Sequence, residues 1–222
     1  MLALISDIHG NYEALMAVLD VIDSLHVDKI YCLGDVVGYY SQVNECCDEL
    51  RRRRVDCVMG NHDWYMASGT KCERSRSVND CLNYQRSVIT ADNLNWVRTF
   101  SAMIKIDNLS LVHGGWKNPI DEYMDVSDET YFDHVDGCYF ASGHTHIQGI
   151  YKFGEKIYCN PGSVGQPRDG DNRASFAIFD GAEFELHRVE YDYQKVGKLM
   201  ERAGFNPYYY GSLSDGAKNL HI

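Results

Sequence analysis

Leu2-Ala3-Leu4-Ile5-Ser6-Asp7-Ile8-His9 begins the fold-determining part of the chain. An apolar run that ends in Asp-x-His predicts a short buried strand, here residues 2–6, with polar side chains just past its end. The same phrase recurs twice. Lys29-Ile30-Tyr31-Cys32-Leu33 runs into Gly34-Asp35, and Val55-Asp56-Cys57-Val58-Met59 runs into Gly60-Asn61-His62-Asp63. Helical patterns fill the gaps. Asn11 suits a helix N-cap with Glu13 in the first turn. Leu15, Val18, Leu19, Ile22 and Leu25 then repeat at helical spacing. Residues 41–54 predict a second helix with Val43, Cys46, Cys47 and Leu50 inward. The order βαβαβ predicts a parallel sheet covered by helices.

Residues 64–100 break this rhythm. The stretch 64–86 is polar and mixed and predicts a weakly amphipathic helix, and 90–100 a better one with Leu94, Trp96 and Val97 inward. Together they predict a cap-like helical excursion near the polar strand ends. Beyond residue 103 the signals are mostly β. Residues 103–106 and 109–113 predict a hairpin about Asp107-Asn108, and 139–142 a strand. Gly149–Phe153 and Lys156–Asn160 flank a turn at Gly154, and 175–179 and 183–189 flank Asp180-Gly181. A final helix is predicted over 192–203, with Val196, Leu199 and Met200 inward. The tail 204–222 carries three consecutive tyrosines and no periodicity. No repeat or linker divides the chain, so its 222 residues are expected to form one domain, two sheets between helices.

Composition narrows the function. A hydrophobic fraction of 45% provides a core, and no apolar run approaches the roughly 20 residues of a membrane span. The chain enters its first strand at once, so no signal peptide is expected. Eight scattered cysteines without a C-x-x-C pair are expected to be reduced thiols in a cytoplasmic protein. The net charge of -11 argues against electrostatic capture of nucleic acid or anionic membrane. Arg51 to Arg54 form one basic run at a helix end, where cations suit the dipole. It reads as a solvated helix end, or else as a contact for a polyphosphate tail.

Five segments carry the chemistry: Asp7-Ile8-His9, Gly34-Asp35, Gly60-Asn61-His62-Asp63, His113-Gly114 and Gly143-His144-Thr145-His146. Most follow apolar β-branched runs, so their side chains are expected at the ends of buried strands, where open α/β sheets bind ligands. Oxygen and imidazole donors without thiolate suit Mn, Fe, Zn, Ni or Co. A pair of such ions hydrolyses phosphate esters. In extended backbone, Asp7 and His9 point to one side and can bind one metal together. The two oxygens of Asp35 can bridge ions about 3.5–4 Å apart. Asn61 adds a neutral oxygen, and His113, His144 and His146 complete the set. His62 is free to protonate a leaving oxygen, with an ordinary pKa of about 6.5, and Asp63 is expected to orient it. Two divalent ions offset by Asp7, Asp35 and a bridging hydroxide leave about +1, enough to draw phosphate into an acidic protein.

These motifs, taken together, resemble the calcineurin-like metallophosphoesterases over nearly the whole chain. The resemblance implies a four-layer αββα sandwich of two mixed sheets flanked by helices. It implies a first metal on Asp7, His9, Asp35 and His146, a second on Asp35, Asn61, His113 and His144, and His62 as acid or transition-state stabiliser. Gly34-Asp35-Val36-Val37-Gly38-Tyr39 and residues 160–168 look like the small bacterial and archaeal phosphodiesterases often labelled diadenosine-tetraphosphatase-like. Phosphoprotein phosphatases of the wider superfamily carry Asp-Arg-Gly after the bridging Asp. Here Gly38 and Tyr39 stand instead, which removes one phosphate-gripping Arg and the Asp that supports the catalytic His.

The expected function is therefore a phosphohydrolase with two divalent transition metals, Mn foremost, cleaving small phosphodiesters or nucleotide phosphoanhydrides through a metal-bridging hydroxide. A phosphomonoesterase with the same dinuclear site is the alternative, and a non-catalytic scaffold on this fold or a nuclease are further rivals. Arg168 is expected to grip a phosphate oxygen, with Asn160 close to the second metal. Tyr39, Trp64 and Trp116 are candidates to stack on a base or aryl group. The alternatives are a turn at 160–168 with Arg168 paired to a nearby Asp, and core or rim positions for the three rings.

Overall fold

A computed structural model describes residues 1–217. The chain runs β1 (Leu2–Ile5), α1 (Tyr12–Ser24), β2 (Lys29–Cys32), α2 (Val43–Arg52), β3 (Asp56–Cys57), α3 (Asn61–Ser68), α4 (Arg76–Val88), α5 (Ala91–Val97), β4 (Ile104–Ile106) and β5 (Leu109–Leu111). It continues through β6 (Tyr139–Ala141), β7 (Gly149–Phe153), β8 (Lys156–Asn160), β9 (Ala174–Phe179), β10 (Phe184–Val189) and α6 (Tyr193–Arg202). Two short 3-10 turns, Pro207–Tyr209 and Gly211–Ser214, follow in the tail. Of that tail, residues 218–222 lie outside the described residues.

Two mixed five-stranded sheets result, ordered β10-β9-β1-β2-β3 and β4-β5-β6-β8-β7. In the first, β1, β2 and β3 are parallel, with Leu2 opposite Lys29 and Cys32 opposite Cys57. The β9–β10 hairpin adds antiparallel beside β1. In the second, β5, β6 and β8 are parallel and β4 and β7 are antiparallel edges. Six parallel strands result, and the seven candidate metal ligands follow the ends of β1, β2, β3, β5 and β6.

The sheets bury apolar faces on each other through Leu4, Leu33 and Val58 from one side and Leu109, Leu111, Ala141 and Cys159 from the other. The other face of the first sheet packs against α1 and α2, whose Leu15, Val18, Leu19, Ile22, Val43, Cys46, Cys47 and Leu50 are the expected inward positions. Asn11 caps α1 as expected, its side chain accepting from the Ala14 amide at 3.1 Å. Over the second sheet the covering layer is irregular. Met124, Tyr131, Phe132 and Trp116 lie on Phe140, Phe153 and Tyr158 there, where turns rather than a helix carry the aromatic side chains.

Three element boundaries differ from expectation. The single helix expected over 64–86 is two, because Gly69 takes a left-handed φ of 76° and stops α3. Ser75 then caps α4 afresh. The third strand shrinks to two residues because Val58 turns to bridge Ser101 and the Met59 amide bonds the Ser101 carbonyl at 2.7 Å. The aperiodic tail docks on α6, where Leu213 joins Tyr40, Val196 and Met200 in a small core of its own. No described helix is long and apolar enough to cross a membrane.

Candidate metal centre and its cleft

The strand ends after β1, β2 and β6 bend sharply, and the bend aims the side chains. Asp7 and His9 have φ of 54°, Asp35 55°, His144 68° and His146 61°, all left-handed. Asp7 and His9 do meet on one side, with His9 Nε2 3.8 Å from Asp7 Oδ1, but not through the extended backbone expected: they reach it through left-handed turns. Such backbone costs energy for Asp and His and persists only where surroundings over-determine it. Here cross-sheet hydrogen bonds do so. The Asp7 amide bonds the Gly34 carbonyl at 3.0 Å, the His9 amide the Asp35 carbonyl at 2.9 Å and the Gly165 amide the Asp7 carbonyl at 3.0 Å. Close approach needs glycine at two points. A Cβ on Gly143 would meet Ser6 Oγ at 2.0 Å, and one on Gly38 would meet His62 Nδ1 at 2.3 Å.

The seven expected ligands are brought together, all of them buried. Each carboxylate spends one oxygen on the protein: Asp7 Oδ2 accepts from the His144 amide at 3.0 Å and Asp35 Oδ1 from the His62 amide at 2.9 Å. The remaining Asp35 Oδ2 lies 3.7 Å from His9 Nε2 and 3.4 Å from His113 Nε2. A single oxygen therefore faces both halves of the site, where two separate oxygens were expected to share the work. Around it, His146 Nε2 is 3.2 Å from Asp7 Oδ1 and 3.1 Å from His9 Nε2. On the other side, His113 Nε2 is 3.2 Å from both Asn61 Oδ1 and His144 Nδ1.

The tautomers decide what this arrangement can hold. His9 Nδ1 meets the Val37 carbonyl at 2.9 Å, His113 Nδ1 that of Leu33 at 2.7 Å and His146 Nδ1 that of Gln166 at 2.6 Å. A carbonyl only accepts, so each Nδ1 carries the proton and each neutral ring turns a bare Nε2 lone pair inward. Three lone pairs then face one another, two carboxylate oxygens and an amide oxygen. Asp7 Oδ1 is buried without a hydrogen-bond partner. Only positive charge reconciles such a set. Burial opposes charge on His113, yet Asp35 and Asp7 outweigh it and push the imidazole up to about 10, so its Nε2 lone pair is bare only where a cation takes the place of the proton. For His62 burial prevails over Asp35 and holds the ring down to about 4. The donor set fits two divalent cations sharing Asp35.

Asp63 departs from expectation. Its carboxylate does not touch the His62 ring. It accepts from the backbone amides of Asp35 at 2.7 Å, Val37 at 3.1 Å and Gly60 at 3.1 Å. It therefore fixes the Asp35 bend rather than an imidazole. Asn160 is likewise a brace. Its NH2 donates to the Gly143 carbonyl at 2.7 Å and to Thr145 Oγ at 3.0 Å, and its oxygen accepts from Gly162 N at 2.9 Å, which leaves it no free donor for a ligand.

Above the ligands opens a cleft of about 230 Å3. Asn61, His62, Tyr39, Gln166 and Arg168 line its floor, and Arg74, Tyr123, Tyr208 and Tyr209 its outer wall. Arg168 reaches it, donating to Tyr39 Oη at 3.0 Å and to Gln166 Oε1. The Tyr39 ring lies 4.6 Å from His9 and 4.8 Å from His62. Trp116 is far from this wall because its ring packs on Phe132 and Phe140 and donates to Ser110 Oγ at 2.9 Å. Trp64 is half-exposed on α3 and does not line the cleft. The arginine run is spent on ion pairs: Arg52 and Arg53 hold Glu49, Arg53 also holds Asp23, and Arg51 donates to Asn93.

Sequence reasoning missed Gln85, Asp121 and Tyr123. Tyr123 lies against His144 with ring centroids 4.1 Å apart, and Asp121 pairs with Arg74. Neither had a sequence signal. Gln85 did: it shares the buried face of α4 with Val78, Cys81 and Leu82, and a polar residue on such a face asks for a partner. It accepts from Gly38 N at 2.7 Å and donates to the carbonyls of Gly38 at 2.7 Å and Tyr40 at 2.6 Å.

Comparison with known proteins now decides the family. Residues 1–183 match the calcineurin-like phosphoesterase superfamily domain. The chain belongs to that superfamily. Its members depend on a dinuclear metal centre, and this chain is a metallophosphoesterase with a buried cluster of candidate metal ligands. It is 38% identical to an uncharacterised protein of Methanocaldococcus jannaschii, over 88% of this chain and 90% of that one. A metallophosphoesterase crystal structure from Sphaerobacter thermophilus superposes with a TM-score of 0.84 at 30% identity, covering 97% of this phosphoesterase and 98% of that chain. A hypothetical protein from Pyrococcus horikoshii shares the fold, with a TM-score of 0.87 at 21% identity over 98% and 100% of the two chains.

Proposed function

We propose that this phosphoesterase hydrolyses small phosphodiesters or nucleotide phosphoanhydrides with two divalent metal ions, manganese first among them. The observation that carries the reading is the convergence of His9 and His113 on one Asp35 oxygen, with His146 beside them on Asp7 Oδ1, beneath an open cleft. Asp7, His9, Asp35 and His146 hold one ion; Asp35, Asn61, His113 and His144 hold the other. Bound there, the ions supply an acidified water and polarise the phosphoryl oxygens.

The chain's own groups do the rest. His62 stabilises negative charge growing on the leaving oxygen or protonates it, that charge offsetting the burial which holds the ring down to about 4; packed against Tyr39 and His9, the ring has little freedom to turn. Arg168 grips a nonbridging oxygen, its guanidinium held ready by Tyr39 and Gln166. The full set of candidate ligands and a reachable His62 support an enzyme over a scaffold. We read the chain as one domain in which residues 64–100 act as a cap, supported by the bond of Gln85 to the Gly38 turn. Eight free cysteines support a cytoplasmic setting.

The test is hydrolysis of bis(p-nitrophenyl) phosphate by protein loaded in turn with Mn, Fe, Zn, Ni and Co, against a phosphomonoester control. Turnover should fall roughly 100-fold or more in Asp35→Asn and His62→Ala. A protein that hydrolyses neither ester with any of these metals overturns the reading, and one that prefers the monoester replaces it with a phosphomonoesterase.

A further inference from the structure

The outer wall of the cleft has a composition unlike the rest of the molecule. The chain holds 32 acidic residues against 21 basic ones. Yet no Asp or Glu is among the described residues that line the cleft, while two arginines and four tyrosines are. Tyr39 and Tyr209 also pack against the core, but the other two rings do not. Tyr123 is 56% exposed and Tyr208 45%. Half-exposed rings at a pocket mouth offer faces on which a planar group can stack.

The rings come from segments that do not build the metal centre. Tyr123 lies in the segment after β5, its ring tilted at 41° against His144, with the Arg74 guanidinium 5.8 Å from its ring centroid. Tyr208 and Tyr209 belong to the 3-10 turn Pro207–Tyr209, beyond the residues matched to the superfamily domain. Their rings pack edge-to-face at 5.2 Å. Tyr209 is anchored to α4 by a 2.9 Å hydrogen bond to Asp80. The tail is thereby pinned against the cap helix with its tyrosines at the cleft.

We propose that Tyr123, Tyr208 and Tyr209 form a ring-binding subsite that selects phosphate esters bearing a planar aromatic group, a nucleobase or an aryl ring. The subsite deepens the reading given under Proposed function. The phosphate lies on the floor by His62 and Arg168, and the ring occupies the tyrosine wall. Stacking on aromatic side chains is tolerant of ring identity. At about 230 Å3 the cleft has room for a phosphate and one ring system, so a second nucleoside would extend into solvent.

The experiment is calorimetric titration of the Mn-loaded full chain with AMP, phenyl phosphate and ribose 5-phosphate, which share a phosphate monoester and differ in the ring. AMP or phenyl phosphate should bind about ten-fold or more tightly than ribose 5-phosphate. Preference for AMP over phenyl phosphate assigns the wall to a nucleobase, and equality assigns it to any aryl ring. Tyr123→Ala and Tyr208→Ala should bring the affinity for AMP down to that for ribose 5-phosphate, while the affinity for ribose 5-phosphate itself stays that of the unsubstituted chain. Equal affinity of all three ligands, or a ring preference untouched by both variants, overturns the proposal. Turnover of bis(p-nitrophenyl) phosphate by the same samples reports on catalysis separately, so failure of one reading is not mistaken for failure of the other.

Discussion

At the scale of single residues, the site is made by bends that ordinary residues avoid. Five of the seven candidate ligands have left-handed backbone, which no propensity rule predicts for histidine. Their types and spacing were legible in the sequence; their conformation was not, because it is imposed by hydrogen bonds from strands far away in the chain. Asp63 illustrates the same limit. Its neighbour His62 suggested an orienting partner, but the acceptors it satisfies are amides of Asp35, Val37 and Gly60. Asp63→Ala leaves three buried donors unpaired and should cost about 3 kcal/mol or more of unfolding free energy in urea. Asp63→Asn, which keeps an acceptor oxygen, should cost less. Glu49 provides a pH-dependent case away from the site. Its hydrogen bond with Arg52, opposed by burial and reinforced by Arg53, holds the carboxyl down to about 2. A depressed carboxyl stabilises the fold above its unfolded pKa of about 4.5 and loses that effect as pH falls toward 2. Because Arg52 is largely exposed, the contribution is discounted to about 2 kcal/mol. Thermal melts of Glu49→Gln should therefore fall below wild type at pH 7 and converge with it as the pH is lowered from 4.5.

At the scale of elements, α4 does more than cover the sheet. Gln85 ties it to the Gly38–Tyr40 turn by three hydrogen bonds, and that turn sets Tyr39 against His9 and His62. Gln85→Ala should destabilise the protein by about 2–4 kcal/mol and lower kcat through displacement of Tyr39 and His62. Gln85→Glu should not restore it, because two of the three bonds are donated by the amide NH2. Steady-state kinetics beside urea unfolding checks both statements. The strand and hairpin pattern of the chain was legible from apolar runs and turn residues: β7 and β8 have the expected bounds. The break after α3 was legible only in hindsight, since Gly69 stops a helix through its φ and not through any change in polarity. The placement of the tail against α6 and α4 had no periodic signal at all, being fixed by tyrosine contacts and the Tyr209–Asp80 bond.

At the scale of the whole molecule, two sheets bring the ligands after β1, β2, β3, β5 and β6 together, and the cations they are built to hold become part of the stability. Metal at 100 times its dissociation constant should add about 2.7 kcal/mol per site. For a chain of this size that corresponds to a rise in melting temperature of roughly 5–10 °C, lost on dialysis against a chelator and regained with Mn. A melt insensitive to chelator would contradict it. The βαβαβ opening and the ligand motifs made this architecture legible, because burial period and polar strand ends report topology directly. The irregular layer at 116–135 was not, since its aromatic residues follow neither a 3.6 nor a 2.0 repeat. The left-handed bends also constrain how the chain can change length. One residue added between Ile5 and His9, or between Leu33 and Asp35, rotates a donor out of the cluster and should abolish metal uptake while the strands still pair. The same extra residue in the turns at Gly154 or Gly181, where a Cβ would meet nothing within 4 Å, should pass unnoticed. Length variants scored by metal content would map a molecule rigid in its connections at one pole and forgiving at the other.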